Sequence, residues 1–486
     1  MKTANRKINR ELILNGNMLK AIMSLAVPVV INSFLQTMYN LTDTYWLGQI
    51  GKEQLAAINL VTPVQNIVIN FGSGITVAGS VLIAQYIGAK QEKEAKSMAN
   101  QIFTCAMLFA LVCALACFLL TPGIVGWLGA EGLTYRYGIT YLRIVILDMP
   151  FLFMVNIFQA VNQAQGNTVK PMLLNLLGIS LNMVFDPLLM VVLDLNIAGA
   201  ALATLFAKVV PAVIAFILLL NPNKEVCLDV KHMRFEKEKL KSIASIGLPT
   251  AIGGSTMQLG FLLMSRNVYV YGVEAMAAYG IGNKVNGLIS LPSNGIGSAV
   301  AIIVGQNMGA RQQKRAETGY RISMFLSVIF LFVGGMILSR KEISTAIVSI
   351  FSDDSAVIAM AAEFLSIMAF WCFTNGVYNS TAGLFQGTGH TEVTMAVDAT
   401  RLWVFRFLTL FFCQRVLHMG VESVWYSVVV SNGISASILL ALYFTGLWKK
   451  SRIKIEAVEK TGETAGKTAG ETAGKTAGET NGTEMI

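Results

Sequence analysis

Two aspartates, Asp43 and Asp186, lie within long and largely apolar stretches of this chain. Three further polar residues lie near Asp186: Asn182 in the same stretch, and Thr204 and Lys208 in the next one. Their side chains carry an amide, a hydroxyl and an amine. Ionisable side chains are costly at membrane depth and by default mark a path for ions or substrates. Carboxylate, amide and hydroxyl oxygens are the ligands that hard cations prefer, and two carboxylates in a medium of low dielectric also retain a proton. These residue types therefore predict a site for sodium or for a proton.

Spacing predicts that three of these residues, Asp43, Asp186 and Thr204, lie at nearly the same depth. Asp43 and Asp186 are each about seven residues before the end of their stretches, and Thr204 is about seven after the start of the next. At about 1.5 Å per residue, all three are roughly 10 Å below one membrane surface. Asn182 and Lys208 lie one helical turn deeper. In the alternative, Asp43 caps a helix or faces an outer aqueous funnel, and Asp186 forms a structural ion pair with Lys208.

The composition requires that lipid surrounds the elements that position these residues. Of 486 residues, 54% are hydrophobic and only 13% are charged. Apolar segments of about 20 residues cross a bilayer, and their backbone groups must be bonded within the segment, so the spans are helices. Twelve such spans are predicted, at 21–48, 55–86, 98–121, 140–162, 170–193, 197–220, 243–271, 277–305, 319–339, 357–385, 393–416 and 421–447.

The second half of the chain repeats the first at an offset of 221 residues, as from Pro28 to Pro249. Further matches are Glu53 with Glu274, Gly74 with Gly295, Gln85 with Gln306 and Gly88-Ala89 with Gly309-Ala310. After a slip of two residues, Gly166 and Thr168 match Gly389 and Thr391. Repeated halves are typical of transporters with a central site between two lobes. We therefore predict an all-α integral membrane protein of twelve transmembrane helices, arranged as two pseudo-symmetric six-helix lobes around a central cavity.

Basic residues concentrate on one side of the membrane if the N-terminus is cytoplasmic. Only Lys52, Arg136, Arg340, Lys341 and Arg415 then lie outside, so both termini of this multi-pass protein are expected in the cytoplasm of a cell whose plasma membrane it spans. The first apolar run is long enough to span, so we expect no cleavable signal. The predicted segments are a cytoplasmic arm (1–20), an N-lobe (21–220), a cytoplasmic linker (221–242), a C-lobe (243–447) and a disordered cytoplasmic tail (448–486) with a polar repeat over 461–480.

Other chemistries find little support in the sequence. The net charge of +9 follows from the membrane topology, and we expect no nucleic-acid partner. The six cysteines form no Cys-x-x-Cys spacing, and the three histidines are far apart. No phosphate-binding loop or catalytic cluster is evident. We therefore expect neither an enzyme nor a metal centre, apart from a transported sodium ion, and no cofactor beyond transported H+ or Na+.

The segment Met38-Tyr39-Asn40-Leu41-Thr42-Asp43-Thr44, preceded by Pro28, resembles the first span of the multidrug and toxic compound extrusion (MATE) transporters. Similar too are Asn182-x-x-x-Asp186-Pro187, the run Gly199-Ala200-Ala201-Leu202-Ala203-Thr204, and the loops Gln85-x-x-Gly88-Ala89 and Gln386-Gly387-x-Gly389. The resemblance covers roughly residues 18–447. Within the family, the sequence resembles the bacterial MepA-like members, which group with the NorM- and DinF-like branch.

The resemblance implies a multidrug efflux antiporter that works by alternating access and exchanges lipophilic cations for protons or sodium. Its cation site would consist of Asp43, Asn182, Asp186 and Thr204. Residues implied or considered for the substrate cavity are Gln36, Tyr39, Asn156, Gln159, Lys208, Lys284 and Arg406. Pro28 and Pro187 are candidate hinges, because proline removes a backbone hydrogen bond. The expected partners are small lipophilic cations and the lipid bilayer, and we expect a monomer.

One departure from the family pattern concerns span 7, where some members carry an acid. Here the neighbourhood reads Ser255-Thr256-Met257-Gln258-Leu259, so coupling is expected to depend on the N-lobe. Among the other intramembrane charges, Asp398 and Arg401 are expected to form a pair within one helix. Arg143 and Asp148, both in the fourth span, are each expected to pair with a residue of another helix.

Two alternatives stay open at this point. A flippase for lipid-linked oligosaccharides shares the expected architecture and would use basic residues to bind a diphosphate, but Asp43 and Asp186 disfavour an anionic cargo. A membrane-embedded enzyme or receptor is disfavoured by the repeated halves and by the lack of catalytic clusters.

Overall fold

A computed structural model describes residues 10–50, 52–221, 226–229 and 235–450. The described chain consists of helices and short connections. Their bounds are α1 Met18–Ile50, α2 Lys52–Gly88, α3 Glu92–Trp127, α4 Gly132–Ile146, α5 Met149–Ala164, α6 Val169–Pro187, α7 Asn196–Leu219, α8 Lys237–Tyr269, α9 Val273–Gly309, α10 Gln313–Leu338, α11 Lys341–Val348, α12 Ser355–Trp371, α13 Phe373–Thr388, α14 Thr391–Thr400, α15 Phe407–Arg415 and α16 Glu422–Phe444. π-helical turns, Leu188–Val192 and Arg401–Arg406, follow α6 and α14.

The helices account for the twelve predicted spans. Nine single helices in the described ranges are long and apolar enough to cross a membrane, and two bent pairs bring the number to eleven. The pairs are α4 with α5, bent by 41°, and α12 with α13, bent by 52°. The twelfth span is α14, its π-helical turn and α15, which together cover the predicted span 393–416.

Two predicted segment boundaries differ from the structure. α8 begins at Lys237, inside the predicted linker, and the linker residues Val226 and Leu228 are buried against the N-lobe. Trp448, predicted to begin the tail, is fully buried, and its ring stacks on Tyr443 at 6.0 Å. In both places apolar side chains gain burial against a lobe, which outweighs the polar character of the surrounding sequence. The repeat over 461–480 lies outside the described residues.

The repeated halves meet through equivalent contacts where α2 and α9 end. Gln85 donates from Nε2 to the carbonyl of Gly387 at 2.8 Å, and its counterpart Gln306 donates to the carbonyl of Ala164 at 2.7 Å. Both glutamines are fully buried. A Cβ atom on Gly88 would lie 2.0 Å from the Gln306 carbonyl oxygen, and one on Gly309 would lie 2.0 Å from that of Gln85. Only glycine permits this approach of the two backbones.

α1 continues through Pro28, although proline cannot donate the backbone hydrogen bond that the Ser24 carbonyl would otherwise accept. The hydroxyl of Thr168, at the start of α6, donates to this carbonyl at 3.2 Å. In the C-lobe, the equivalent Thr391 donates to the carbonyl of Ile246 at 2.8 Å, in the turn before Pro249. Thr168 therefore compensates the proline break in the N-lobe. Thr391 instead bonds the carbonyl one residue after that of Ser245, which is the one that Pro249 leaves without its helical donor.

Candidate functional site

A cavity of about 110 Å³ lies within the N-lobe between α1, α5, α6 and α7. Its lining includes five of the predicted site residues: Gln36, Tyr39, Asn182, Thr204 and Lys208. Asp43 follows Tyr39 by one turn on α1, and Asp186 follows Asn182 by one turn on α6. The structure therefore collects the predicted cation-site residues from three helices around one cavity.

Asp186 and Asn182 form the most deeply buried part of this site. Their exposed fractions are 0% and 2%. The Asn182 amide lies beside the Asp186 carboxylate, but no polar side-chain atom of either residue has a partner in good hydrogen-bond geometry among the described residues. A buried carboxylate without a partner is unfavourable unless a proton or a cation compensates it. The pair is therefore suited to hold a positive charge.

Local sequence explains how Asp186 reaches this position. Pro187 ends α6 next to the aspartate, and the chain continues as the π-helical turn Leu188–Val192. π-helical turns inside helices often lie at functional sites. Gly199 on α7 then allows close packing, because a Cβ atom there would lie 2.5 Å from the carbonyl oxygen of Leu189. The Asp-Pro pair and the Gly-Ala run thus shape one corner of the site.

Asp43 lies close enough to Asp186 for the two charges to interact. The Tyr39 hydroxyl is beside Thr204 and within electrostatic range of both carboxylates. Tyr141, which the sequence analysis did not select, is buried within range of the same two acids. These residues therefore form a compact polar group in the N-lobe.

Lys208 forms an ion pair with Asp148, whereas the alternative interpretation of the sequence paired it with Asp186. The ammonium Nζ lies 2.5 Å from Asp148 Oδ2, and the Asp148 side chain is fully buried. The alternative is wrong because Asp148, between α4 and α5, faces Lys208 across the lobe. The expectation that Asp148 pairs across helices is confirmed. Arg143 places its guanidinium over the Phe118 ring, 5.4 Å from the centroid.

Asn156 and Gln159 line a second cavity, of about 370 Å³, instead of sharing one with Gln36 and Tyr39. This cavity also has walls from the C-lobe, including Ser298 and Gln386, so we call it the central cavity. Asn175, which lines the N-lobe cavity, donates to Asn32 at 3.0 Å and to Gln159 at 3.4 Å, both at the central cavity. Sequence reasoning missed Asn175, although a polar residue inside an apolar span is a usable signal.

The C-lobe lacks a counterpart of the acidic site. Met264 occupies the position equivalent to Asp43 and is fully buried in an apolar cluster with Phe364 and Trp425. Arg401 and Asp398 form the predicted pair within one helix, at 3.0 Å.

The remaining basic residues of the C-lobe have different surroundings. Arg406 donates to Ser431 and to Asn432, each at 3.1 Å. Lys284 is exposed on α9. Within the described ranges, no cluster of three or more His, Cys, Asp or Glu side chains could hold a metal ion. The structure therefore concentrates its acidic chemistry in the N-lobe.

Twelve helical spans in two matched halves, with a polar cavity in one and a central cavity between both, define a two-lobed membrane transporter. A family model described as MatE matches residues 28–188 and 249–412, so each match begins at the equivalent proline. The chain belongs to the MatE family of multidrug export transporters of the plasma membrane, which confirms the resemblance and the expectation that it is not an enzyme.

Individual relatives agree with this assignment. The multidrug export protein MepA of Staphylococcus aureus is 24% identical over 428 residues, which cover 87% of this chain and 93% of the relative. MepA of Staphylococcus haemolyticus is 25% identical over 375 residues, covering 77% and 82%. A solved structure described as the outward-facing conformation of a multidrug resistance MATE family transporter shares the fold, with a TM-score of 0.85 at 23% identity, and the likeness covers 90% of this chain and 98% of that one.

Proposed function

We propose that this transporter exports lipophilic cationic compounds in exchange for protons or sodium ions. The observation that carries the proposal is the buried Asp186–Asn182 pair, which lies within electrostatic range of Asp43. Among the described residues no other side chain offers either of them a partner, and the contact between the two lacks good hydrogen-bond geometry. Such a group is stable only with a compensating positive charge. Entry of H+ or Na+ supplies that charge.

Drug export is coupled to cation entry if the transporter binds either the cation or the drug, but not both at once. Asn175 joins the N-lobe cavity to the central cavity through Asn32 and Gln159. A change of charge at Asp43 and Asp186 then alters the packing of α1 and α6 on both cavities. Pro28 and Pro187 lie in these two helices, where each lacks one backbone hydrogen bond and permits bending. By linkage, the drug must weaken cation binding as much as the cation weakens drug binding.

Alternating access requires that the lobes separate at either end in turn. The Gln85 and Gln306 contacts hold them together near the loops 89–92 and 310–313. We place this end and both termini in the cytoplasm because its loops carry the basic residues. On this placement, the described state is closed toward the cytoplasm, and a single chain contains every part of the cycle.

The cargo follows from the two cavities. Carboxylates of the N-lobe attract positive charge, and Tyr39 offers an aromatic face to a cation. Asn156 and Gln159 of the central cavity offer amides that donate or accept hydrogen bonds. Adaptable contacts of this kind discriminate weakly between molecules of similar charge. We therefore expect varied lipophilic cations.

The flippase alternative needs basic side chains that are available to a diphosphate. Lys208 is paired with Asp148, Arg401 with Asp398, and Arg406 donates to two side chains of α16. Lys284 is exposed on α9, and a single lysine matches a diphosphate poorly. The engagement of the other three favours cationic over anionic cargo.

The proposal is tested by reconstituting the protein in liposomes and measuring transport of ethidium under a sodium gradient and, separately, under a pH gradient. The parent protein is expected to move the dye under at least one gradient, and Asp43→Asn to slow that movement about tenfold or more, a typical size for coupling between sites. Asp353→Asn, in an exposed loop, makes the same chemical change away from the site and should match the parent.

Two outcomes contradict the proposal. One is an unchanged rate for Asp43→Asn under both gradients. The other is movement of an anionic lipid-linked sugar with no cation transported, which favours the flippase.

A further inference from the structure

The ion pair between Lys208 and Asp148 stands directly beside the acidic pair of the N-lobe. Lys208 lines the same cavity as Asn182 and Thr204, and the exposed fraction of its side chain is 25%. Its ammonium is close enough to Asp43 for the two charges to interact. The site therefore contains a cation of its own, attached to α7, next to the carboxylates that would receive a transported cation.

A lysine in this position competes with the transported ion. If its ammonium moved to Asp43 or Asp186, it would supply the positive charge that those carboxylates require and leave no need for H+ or Na+. The carboxylates within interaction range of its ammonium are Asp43 and Asp148. Asp186 and the phenols of Tyr39 and Tyr141 lie within range of Asp43. Which carboxylate holds the ammonium therefore decides whether the site is available.

Asp148 is well placed to hold it. The residue directly precedes α5, at the 41° bend of the fourth span, where the first backbone N–H groups of the helix favour a negative charge. Its side chain does not cap the helix, so the carboxylate remains directed to Lys208. Complete burial of Asp148 fixes the pair, because departure of the lysine would leave an uncompensated buried charge.

We propose that Asp148 is a positioning residue for cation coupling: it anchors Lys208 away from Asp43 and Asp186 and so keeps these acids free to bind the transported cation. This inference depends on the proposed antiport function. It adds that Asp148 is needed only because Lys208 is present.

The test compares three proteins in the liposome assay with ethidium, under whichever gradient drives the parent: Asp148→Asn, Lys208→Met, and the double variant Asp148→Asn/Lys208→Met. Asp148→Asn releases the lysine, and we expect cation-driven dye transport to fall about tenfold or more. The double variant contains neither charge, and transport is expected to recover about threefold or more relative to Asp148→Asn, since neutral replacement of a buried ion pair is often tolerated. Lys208→Met alone leaves Asp148 buried and unpaired, so we expect it to be less stable than the double variant.

Rescue of the rate alone is also expected of a purely structural ion pair, so the Kd of ethidium is measured for each folded variant with and without the driving cation. Anchoring predicts that Asp148→Asn binds the dye but loses the shift of Kd by the cation, and that the double variant regains this shift. The proposal is overturned if Asp148→Asn transports like the parent, or if the double variant is folded by size-exclusion chromatography but as slow as Asp148→Asn. If Asp148→Asn does not fold, the double variant alone decides, because the proposal requires it to be active. Absence of gradient-driven transport in the parent would instead contradict the proposed antiport function.

Discussion

At the scale of single residues, Thr168 shows why a short motif recurs in both halves. Pro28 leaves the carbonyl of Ser24 without its helical donor, and the hydroxyl of Thr168 donates to it at 3.2 Å. Thr391 makes a related contact in the C-lobe, at 2.8 Å, but to the carbonyl of Ile246, one residue after the carbonyl that Pro249 leaves without a donor. The sequence displayed the matched threonines, but their role depends on which helix packs against the proline, which spacing alone does not determine.

This arrangement predicts an energetic coupling between Thr168 and Pro28. Thr168→Val is expected to lower the free energy of unfolding by about 1 kcal/mol, the usual contribution of such a hydrogen bond. In a Pro28→Ala background the loss should shrink, because the restored N–H of residue 28 can then donate to the Ser24 carbonyl. A double-mutant cycle on thermal unfolding in detergent measures the difference.

Thr391→Val is the matched control, because it removes the same hydroxyl in the other half. Its effect should be the same with and without Pro28→Ala. Equal losses for Thr168→Val in both backgrounds would show that the hydroxyl does not compensate the proline.

At the scale of helices, the apolar composition predicted the number of membrane spans. It did not predict where individual spans bend. Long apolar runs predict membrane helices because backbone groups in lipid have no other partners. The bend between α4 and α5 places Asp148 opposite Lys208, and nothing in the spacing of Leu147-Asp148-Met149-Pro150 specifies which helix the carboxylate faces. Pairing across helices depends on rotation and tilt, so the sequence could single out polar residues of the N-lobe spans as a candidate site but not the partner of Lys208.

The ends of α2 and α9 carry a prediction about helix packing. Replacing both Gln85 and Gln306 by Leu removes two buried hydrogen bonds and leaves the carbonyls of Gly387 and Ala164 unpaired, at about 1–3 kcal/mol for each. We expect the two lobes to separate more often at this end. Spin labels at the exposed positions Lys93 and Lys314, in a background without the six native cysteines, should report a larger population of long distances.

Gln258→Leu provides the control for this experiment, since that glutamine is exposed on α8. It should leave the distance distribution as in the parent. An unchanged distribution in the double glutamine variant would mean that these contacts do not stabilise the closed end.

At the scale of the whole molecule, duplication produced two lobes with unequal chemistry. Asp43 in the N-lobe corresponds to Met264 in an apolar cluster of the C-lobe, so only one half retains the acidic site. The absence of an acid around Ser255-Thr256-Met257 predicted this asymmetry. The division of the predicted substrate residues between two cavities was beyond the sequence, because it depends on how α5 and α6 pack between the lobes.

The central claim is that a transported cation and a drug exclude one another through Asp186 and Asp43. Equilibrium binding of ethidium to the purified protein tests it directly, with sodium titrated at fixed pH and with protons titrated in the absence of sodium. In the parent, one of these cations should raise the Kd of the dye about tenfold, within the usual range for coupled sites, and Asp186→Asn should abolish the shift. Dye affinity that is independent of both cations in the parent, or an equal shift in Asp186→Asn, would contradict the account.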